Sequence, residues 1–436
     1  MVEINDGRHF KNPYDDYISE NQLQVENTNI PRKFIELLNV LNAKYEKLSS
    51  SDISMYTGLS GIGLFYNYLS QSKSKLIDKK ICEDAVQHAE RLLHRCLRHI
   101  DMKKLSKNIS VFTGSIGALC LGVLCTSAHS TDAKRYLEQI LSASNYAALN
   151  DSNSNMPDEA LYGRTGYLNC LLTLKEYNNS DIPSTTISLV INAILQSGQR
   201  TASAYKSNGY YDSLIRHSSK RNLPMPPLMF EWHEKCYLGG AHGFAGILTT
   251  LLKAYRLFPG VISSDTLNQL ILPTVEWMGQ LQLPSGNWPS SLGDSISRDV
   301  LVHWCHGATG VIPLMLSAYK ITGEKKYLER ALTGGEVLWT RGLLHKGCGL
   351  CHGSAGSGFS LLEIYQTTHD PKYLYRAIKF ADWCTDCFTN ATRVADRPYS
   401  LFEELCTDMR EFKSPLSLHV AHKAREDSKQ RCETKE

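Results

Sequence analysis

The hydrophobic pattern of this chain is helical almost throughout, and it alternates between two kinds of segment. Ile62, Phe65, Tyr66 and Leu69 follow an i, i+3, i+4, i+7 spacing, as do Tyr167, Cys170, Leu171 and Leu174, then Val311, Leu314, Met315 and Ala318. That spacing lays apolar side chains along one face of a helix. Between these apolar segments lie others of amphipathic character, at 31–48, 82–99, 132–142, 266–282, 323–340 and 371–388. Extended alternation of β-branched residues bounded by turns is nearly absent. The pattern predicts an all-α chain that alternates an amphipathic helix with a more apolar one.

The apolar helices share a start signal. Gly-x-x-Gly recurs at Gly58/Gly61, Gly114/Gly117, Gly163/Gly166, Gly243/Gly246, Gly307/Gly310 and Gly353/Gly356. The intervals, roughly 45 to 80 residues, are too irregular for a tight solenoid but long enough for a helical hairpin plus a variable loop. A helix start that approaches a neighbouring backbone excludes a Cβ, which explains glycine there. Such starts also gather unpaired backbone N–H groups on one face. An inner ring of glycine-led helices wrapped by an outer ring of amphipathic ones satisfies the pattern, a double-layered α/α toroid. The alternative is a linear helical stack of the HEAT type, whose inner helices rarely begin on a fixed glycine pair.

Composition narrows the function classes. With 436 residues, 42% hydrophobic and 21% charged, the chain can bury a large core. A net charge of +3 is too small for a nucleic-acid or anionic-membrane surface. The N-terminus lacks the apolar run of a signal peptide, and apolar stretches such as 116–125 fall well short of the ~20 residues that span a bilayer. Thirteen cysteines, odd in number and scattered, argue against a disulfide framework. Cys120, Cys125 and Cys170 read as small core residues, and the expected location is cytoplasmic.

Candidate chemistry sits at two of the glycine starts. Trp304-Cys305-His306-Gly307 and Cys351-His352-Gly353 place soft ligands in equivalent loops of consecutive repeats. Cys305, Cys351 and His352 make a three-ligand zinc site with one open position, as catalytic zinc requires. Such a metal holds an incoming thiol as thiolate at neutral pH. A competing closed site would use the pairs Cys348/Cys351 and Cys384/Cys387. His242 precedes Gly243 as His306 precedes Gly307 and His352 precedes Gly353, so it should face the same central space as an acid/base group. Glu159 is a second candidate for proton transfer. Lys346, Arg393, Asp396 and Arg397 are candidates for gripping an acidic thiol substrate.

In these motifs the chain resembles the lanthionine synthetase C-like family, in particular its eukaryotic branch. The matching residues are YTGLSGIG from Tyr56, LYGRTGYL from Leu161, YLGGAHGFAGIL from Tyr237, LVHWCHGATG from Leu301, LLHKGCGLCHGSAG from Leu343 and RPYSLFE from Arg397. The match runs in order from about Asp15 to Glu403. The resemblance implies a toroid of seven helical hairpins over 31–412, with zinc on Cys305, Cys351 and His352. Residues 1–30 would then be an N-terminal segment, and 413–436 a polar, disordered tail. It implies glutathione contacts at Lys346 and along Arg393, Val394, Ala395 and Asp396, with His242 as acid/base and Trp304 and His306 lining the site. Its implied activity is addition of glutathione to dehydroalanine or dehydrobutyrine in proteins, forming a thioether. A non-catalytic glutathione- and zinc-binding scaffold or sensor is the alternative. A protein prenyltransferase-like toroid, the remaining rival, normally uses an Asp among its zinc ligands. A seventh Gly-x-x-Gly should follow Ser400-Leu401-Phe402-Glu403, yet Glu404 and Thr407 stand at those positions. The sequence therefore predicts a degenerate seventh hairpin.

Overall fold

The computed structural model describes residues 7–19, 28–105, 107–148, 156–218, 220, 222–386 and 399–403. Helices α1 Ile30–Lys44, α2 Leu59–Ser70, α3 Lys79–Leu97, α4 Ile116–Cys125, α5 Thr131–Ser142, α6 Arg164–Asn178 and α7 Ser184–Ser207 make up the first half. The second half holds α8 Phe244–Leu257, α9 Leu272–Gln280, α10 Ala308–Thr322, α11 Lys325–Arg341, α12 Ser354–Thr368 and α13 Pro371–Thr385. No strand occurs among the described residues, only isolated bridges such as Tyr237 with Ser291.

Even-numbered helices form the inner layer and odd-numbered ones the outer. The division follows composition: α4 (IGALCLGVLC) buries all but its last two residues. By contrast, α3 buries only Ala85, Ala89, Leu92, Leu93 and Cys96 and turns its charges to solvent. Inner helices pack in series, α2 on α4, α4 on α6, then α8, α10 and α12, and each packs on the outer helix that follows it. The outer layer closes where α1 meets α13, with Leu37 packed against Cys348, Ala355 and Cys384. The expected ring is therefore closed in its outer layer. Helix α7, the longest among the described residues, is not among the predicted segments, although Ile187, Val190, Ile191 and Ile194 carry the helical spacing. Cys120 and Cys170 are core thiols as expected, and Cys125 is half-buried.

Between the sixth repeat and the first, residues 399–403 fill the inner seam. Cys351 N–H donates to the Phe402 carbonyl at 2.9 Å, and Phe402 N–H to that of Tyr56 at 3.4 Å. The Phe402 ring stacks on Tyr56 with centroids 5.2 Å apart and meets Phe112 edge-on at 5.4 Å. The expected glycine positions 404 and 407 and the tail lie outside the described residues. The inner helices enclose a mainly apolar cavity of ≈ 190 Å³, running from Trp304, Phe112 and Phe402 to Lys253, Lys320 and Glu363.

The segment 7–19 straps the last two hairpins together. Phe10 N–H donates to Leu343 O at 2.7 Å, His345 N–H to Arg8 O at 3.0 Å, and Asn12 Nδ2 to Trp339 O at 2.7 Å. Arg376, 1% exposed, anchors the strap by donating to Asp16 at 2.6 Å and to Glu336 at 2.8 Å while its guanidinium lies over Trp339. Hydrogen bonding to Arg376 depresses the Asp16 pKa; Glu336 is likewise lowered, its burial outweighed by the same arginine. A depressed carboxylate pKa stabilises the fold above its unfolded value and loses that contribution as pH falls through the folded value. Replacing Arg376 by Leu should cost about 1–3 kcal/mol, because the acids it leaves behind remain partly solvated. Urea melts should show the gap between wild type and variant at pH 7 shrinking below pH ~4, where both carboxylates protonate.

Candidate metal and thiol centre

Each loop leading into an inner helix folds back beneath that helix. A Cβ on Gly307 would lie 2.2 Å from the Leu301 carbonyl oxygen, and one on Gly310 2.1 Å from that of Trp304. Real Cβ atoms do not approach so closely, so only glycine fits. The same six-residue offset holds in every repeat, as at Gly243 over Tyr237 and Gly356 over Leu350. Gly307 also takes φ +103°, a backbone region closed to other residues. Buried Asn287 holds this loop. It accepts Ala308 N–H at 2.8 Å and donates to Leu301 O at 3.0 Å and Asp299 at 2.8 Å.

This common shape puts equivalent residues in register around the ring. Immediately before the first glycine stand Thr57, Thr113, Tyr162, His242, His306 and His352; one position earlier stand Tyr56, Phe112, Leu161, Ala241, Cys305 and Cys351. Adjacent loops are zipped by backbone bonds. Trp304 N–H and Cys305 N–H both donate to Cys351 O, at 2.9 and 3.3 Å, and Gly240 N–H donates to Trp304 O at 2.9 Å.

Cys305, Cys351 and His352 therefore converge, with ligand atoms all within 4.8 Å of one another. Two thiolates on a tetrahedral zinc, each ~2.3 Å from the metal, stand ~3.8 Å apart, so the set fits that ion. It is the one metal-ligating cluster of this kind among the described residues. Cys348 and Cys384 pack instead with Ala355 in a small apolar cluster, and Cys387 of the competing closed site lies outside the described residues. The Cys351 thiol is held well below its ordinary range by hydrogen bonds from Cys305, His352 and Tyr56. Cys305, the donor to Cys351 and deeply buried, is pushed up.

Beside it lie the histidines. His242 Nδ1 is 2.7 Å from Glu159 Oε2, and Glu159 is 2% exposed. That carboxylate also accepts the N–H groups of Leu161, at 2.9 Å, and Tyr162. Asp158 next to it is pinned by Arg164 at 2.8 Å. Glu159, expected as a proton-transfer group, thus sits behind His242 and reaches the site only through the imidazole. His306 Nδ1 lies 2.8 Å from Ser290 Oγ, and burial, followed by the charges of His242 and Lys346, lowers its pKa to about 4. Tyr237, which motif reading used only as a match, lies between the two histidines, its ring 5.9 Å from His242 and 5.6 Å from His306.

Half-buried Lys346 brings positive charge near Cys305, His303 and His306. Arg393, Val394, Ala395, Asp396 and Arg397 lie outside the described residues. Two further groups escaped the sequence reading. Tyr56 belongs to the first repeat yet hydrogen-bonds Cys351 in the sixth. Arg8, brought in by the strap, adds positive charge near His303. The register of Tyr56 with Cys305 and Cys351 could have shown the first; no local signal marks the second.

The fold and this centre define a closed helical toroid with a thiol–imidazole cluster that could hold a metal at the mouth of its inner ring. Comparison with known proteins agrees: the family model described as lanthionine synthetase C-like protein matches residues 49–403. The zebrafish (Danio rerio) protein named glutathione S-transferase LANCL1 is 35% identical over 416 residues, covering 92% of this chain and 94% of that one. A solved structure of nisin cyclase superposes with a TM-score of 0.62 at 15% identity, covering 90% of this chain and 96% of that one, a likeness of fold. The chain belongs to the lanthionine synthetase C-like family.

Outer hydrogen bonds to metal ligands typically set 10- to 100-fold in affinity. Tyr56→Phe should accordingly weaken zinc binding about tenfold, read by competition with a chromophoric chelator, while the helical circular dichroism spectrum stays unchanged.

Proposed function

We propose that this protein adds glutathione to dehydroalanine or dehydrobutyrine residues of polypeptides, forming a thioether. The observation that carries the reading is the convergence of Cys305, Cys351 and His352 within reach of one ion. His242 and His306 flank them in the same register. The name of the zebrafish relative, a glutathione S-transferase, supports the thiol. A zinc ion bound there would supply the charge that keeps a thiol ionised near pH 7.

This chain's own residues do the rest. Lys346, with Arg393 and Asp396, grips the carboxylates and the ammonium of the tripeptide, and Arg8 adds cationic charge nearby. Glu159 accepts from His242 Nδ1–H, which fixes the tautomer and presents Nε2 to the substrate. As the sulfur attacks the β-carbon, an S–C bond forms and the C=C π pair moves onto the adjacent carbonyl as an enolate. His242 takes up at Nε2 the proton that the thiol gives up and delivers it to the α-carbon, so the imidazole ends as it began and no oxidant or reductant is needed. His306, kept neutral by its burial and anchored on Ser290, can donate a hydrogen bond to the enolate oxygen. Among the described residues no helix is long and apolar enough to cross a membrane. Use of glutathione, together with core thiols such as Cys120 and Cys170, fits a reducing compartment.

A dehydroalanine peptide incubated with glutathione and zinc-loaded protein should gain the mass of one glutathione. Cys351→Ala should lose zinc and bring addition to background. His242→Asn should keep zinc and glutathione binding but slow turnover about 10²- to 10⁴-fold. Glu159→Gln should fall between wild type and His242→Asn. Glutathione binding without product in the wild-type protein would replace this reading with that of a scaffold.

A further inference from the structure

The register position that carries His352, His306 and His242 continues around the ring to Tyr162. Its ring is parallel to that of His242, 5° between planes and 6.3 Å between centroids, yet the side chain is 42% exposed. Trp232 lies against it in turn, 6.2 Å away and inclined by 25°. The mount of Trp232 is unusual. His233 and Glu234 take φ values of 48° and 59°, in a tight turn closed by Trp232 N–H to Lys235 O at 2.9 Å and Lys235 N–H to Trp232 O at 3.2 Å. Two successive left-handed residues are the geometry that Asn-Gly adopts at little cost; His-Glu does so under strain. Strain of this kind persists where the surrounding structure imposes it, and it clusters at binding sites. Here it holds an indole one ring away from the acid/base histidine.

We propose that Tyr162 and Trp232 form a ledge that seats the acceptor polypeptide, packing an apolar side chain next to the dehydroamino acid. The inference rests on the thiol-addition reading above. A dehydroalanine that receives its proton from His242 lies beside that imidazole, and the chain carrying it must continue past a neighbouring register position. On one side that position holds His306, half-buried and tied to Ser290. On the other it holds an exposed aromatic surface, so the acceptor leaves by way of Tyr162. Paired aromatic rings offer a large rigid apolar area with polar edges that can meet a peptide backbone. The ledge therefore selects acceptors by the residue flanking the reactive one, preferring aromatic or large aliphatic side chains to glycine.

Two fluorescein-labelled peptides, identical except for Phe or Gly beside the reactive position, test this. With alanine in place of dehydroalanine, anisotropy reads binding alone; with dehydroalanine and glutathione, kcat/KM reads addition. The wild-type protein should favour the Phe peptide about tenfold in both measurements. The double variant Tyr162→Ala, Trp232→Ala should lose that preference while its KM for glutathione and its zinc content stay at wild-type values. Tyr162→Phe should keep the preference, which guards against misreading a folding defect. A preference that survives in the double variant, or that is absent from the wild type, overturns the ledge. Preferential binding of the unreactive Phe peptide without any turnover would count against thiol addition and leave the ledge standing.

Discussion

The structure depends on one repeated constraint: each inner helix starts with its backbone pressed against carbonyls of its own lead-in loop. Glycine at both positions of the pair is what permits that approach. Because every loop then has the same shape, neighbouring loops can exchange backbone hydrogen bonds around the mouth of the toroid. Tyr56 N–H donates to Phe112 O at 2.8 Å, Val111 N–H to Gly166 O at 3.5 Å, Ala160 N–H to Ala241 O at 3.0 Å, Gly240 to Trp304, Trp304 to Cys351, Cys351 to Phe402, and Phe402 back to Tyr56. A cyclic belt of this kind satisfies loop groups that would otherwise be buried unpaired. It also leaves side chains just before each first glycine aimed at a common rim. Fold and site thus share one cause, and a Cβ in the pair would disturb both.

Within that frame the chemistry is set by burial and charge. The Cys305–Cys351 pair is deeply buried, and a lone thiolate there would be unfavourable without hydrogen-bond donors or a cation. Tyr56, His352 and Lys346 supply these from three directions, and a divalent metal would complete the compensation. His242 and Glu159 follow a different logic. The carboxylate is buried but saturated by two backbone donors and an imidazole, so it orients a proton carrier without having to carry the proton itself. Two neighbouring regions of the same rim thereby differ in character: one gathers donors around a thiol pair, the other pairs a buried carboxylate with an imidazole.

Much of this was legible in the sequence because the constraint leaves a visible mark. The glycine pairs announced the inner helices, and the i, i+3, i+4 spacing gave their buried faces. Equivalence of position was enough to bring Cys305, Cys351 and His352 together and to place His242 and His306 on the same rim. What the residues hid were contacts between elements distant in sequence. Nothing near Arg8 or Asp16 signals that they bind His345 and Arg376, more than three hundred residues away. Glu159 could be named as a candidate for proton transfer, but only the packing of the third repeat against the fourth shows that it sits on His242. The role of Trp232 was equally hidden, since a strained His-Glu turn has no compositional signature.

Closure of the ring, finally, completes the surroundings of the Cys305–Cys351–His352 cluster. The first repeat supplies Tyr56, whose hydroxyl reaches Cys351, and its backbone carbonyl receives Phe402 from the seam. The strap 7–19 joins the loop at Leu343–His345 immediately before Lys346. Each of these contacts links an end of the chain to the fifth or sixth repeat, so each contributes only once the toroid has closed. An open helical arc would keep its glycine-led loops and even the adjacent Cys305 and Cys351, but it would lack Tyr56, Arg8 and the fixed position of Lys346. Cys305 and His352 act on the Cys351 thiol from within the fifth and sixth repeats, and only the complete circle adds Tyr56 and the strap to them.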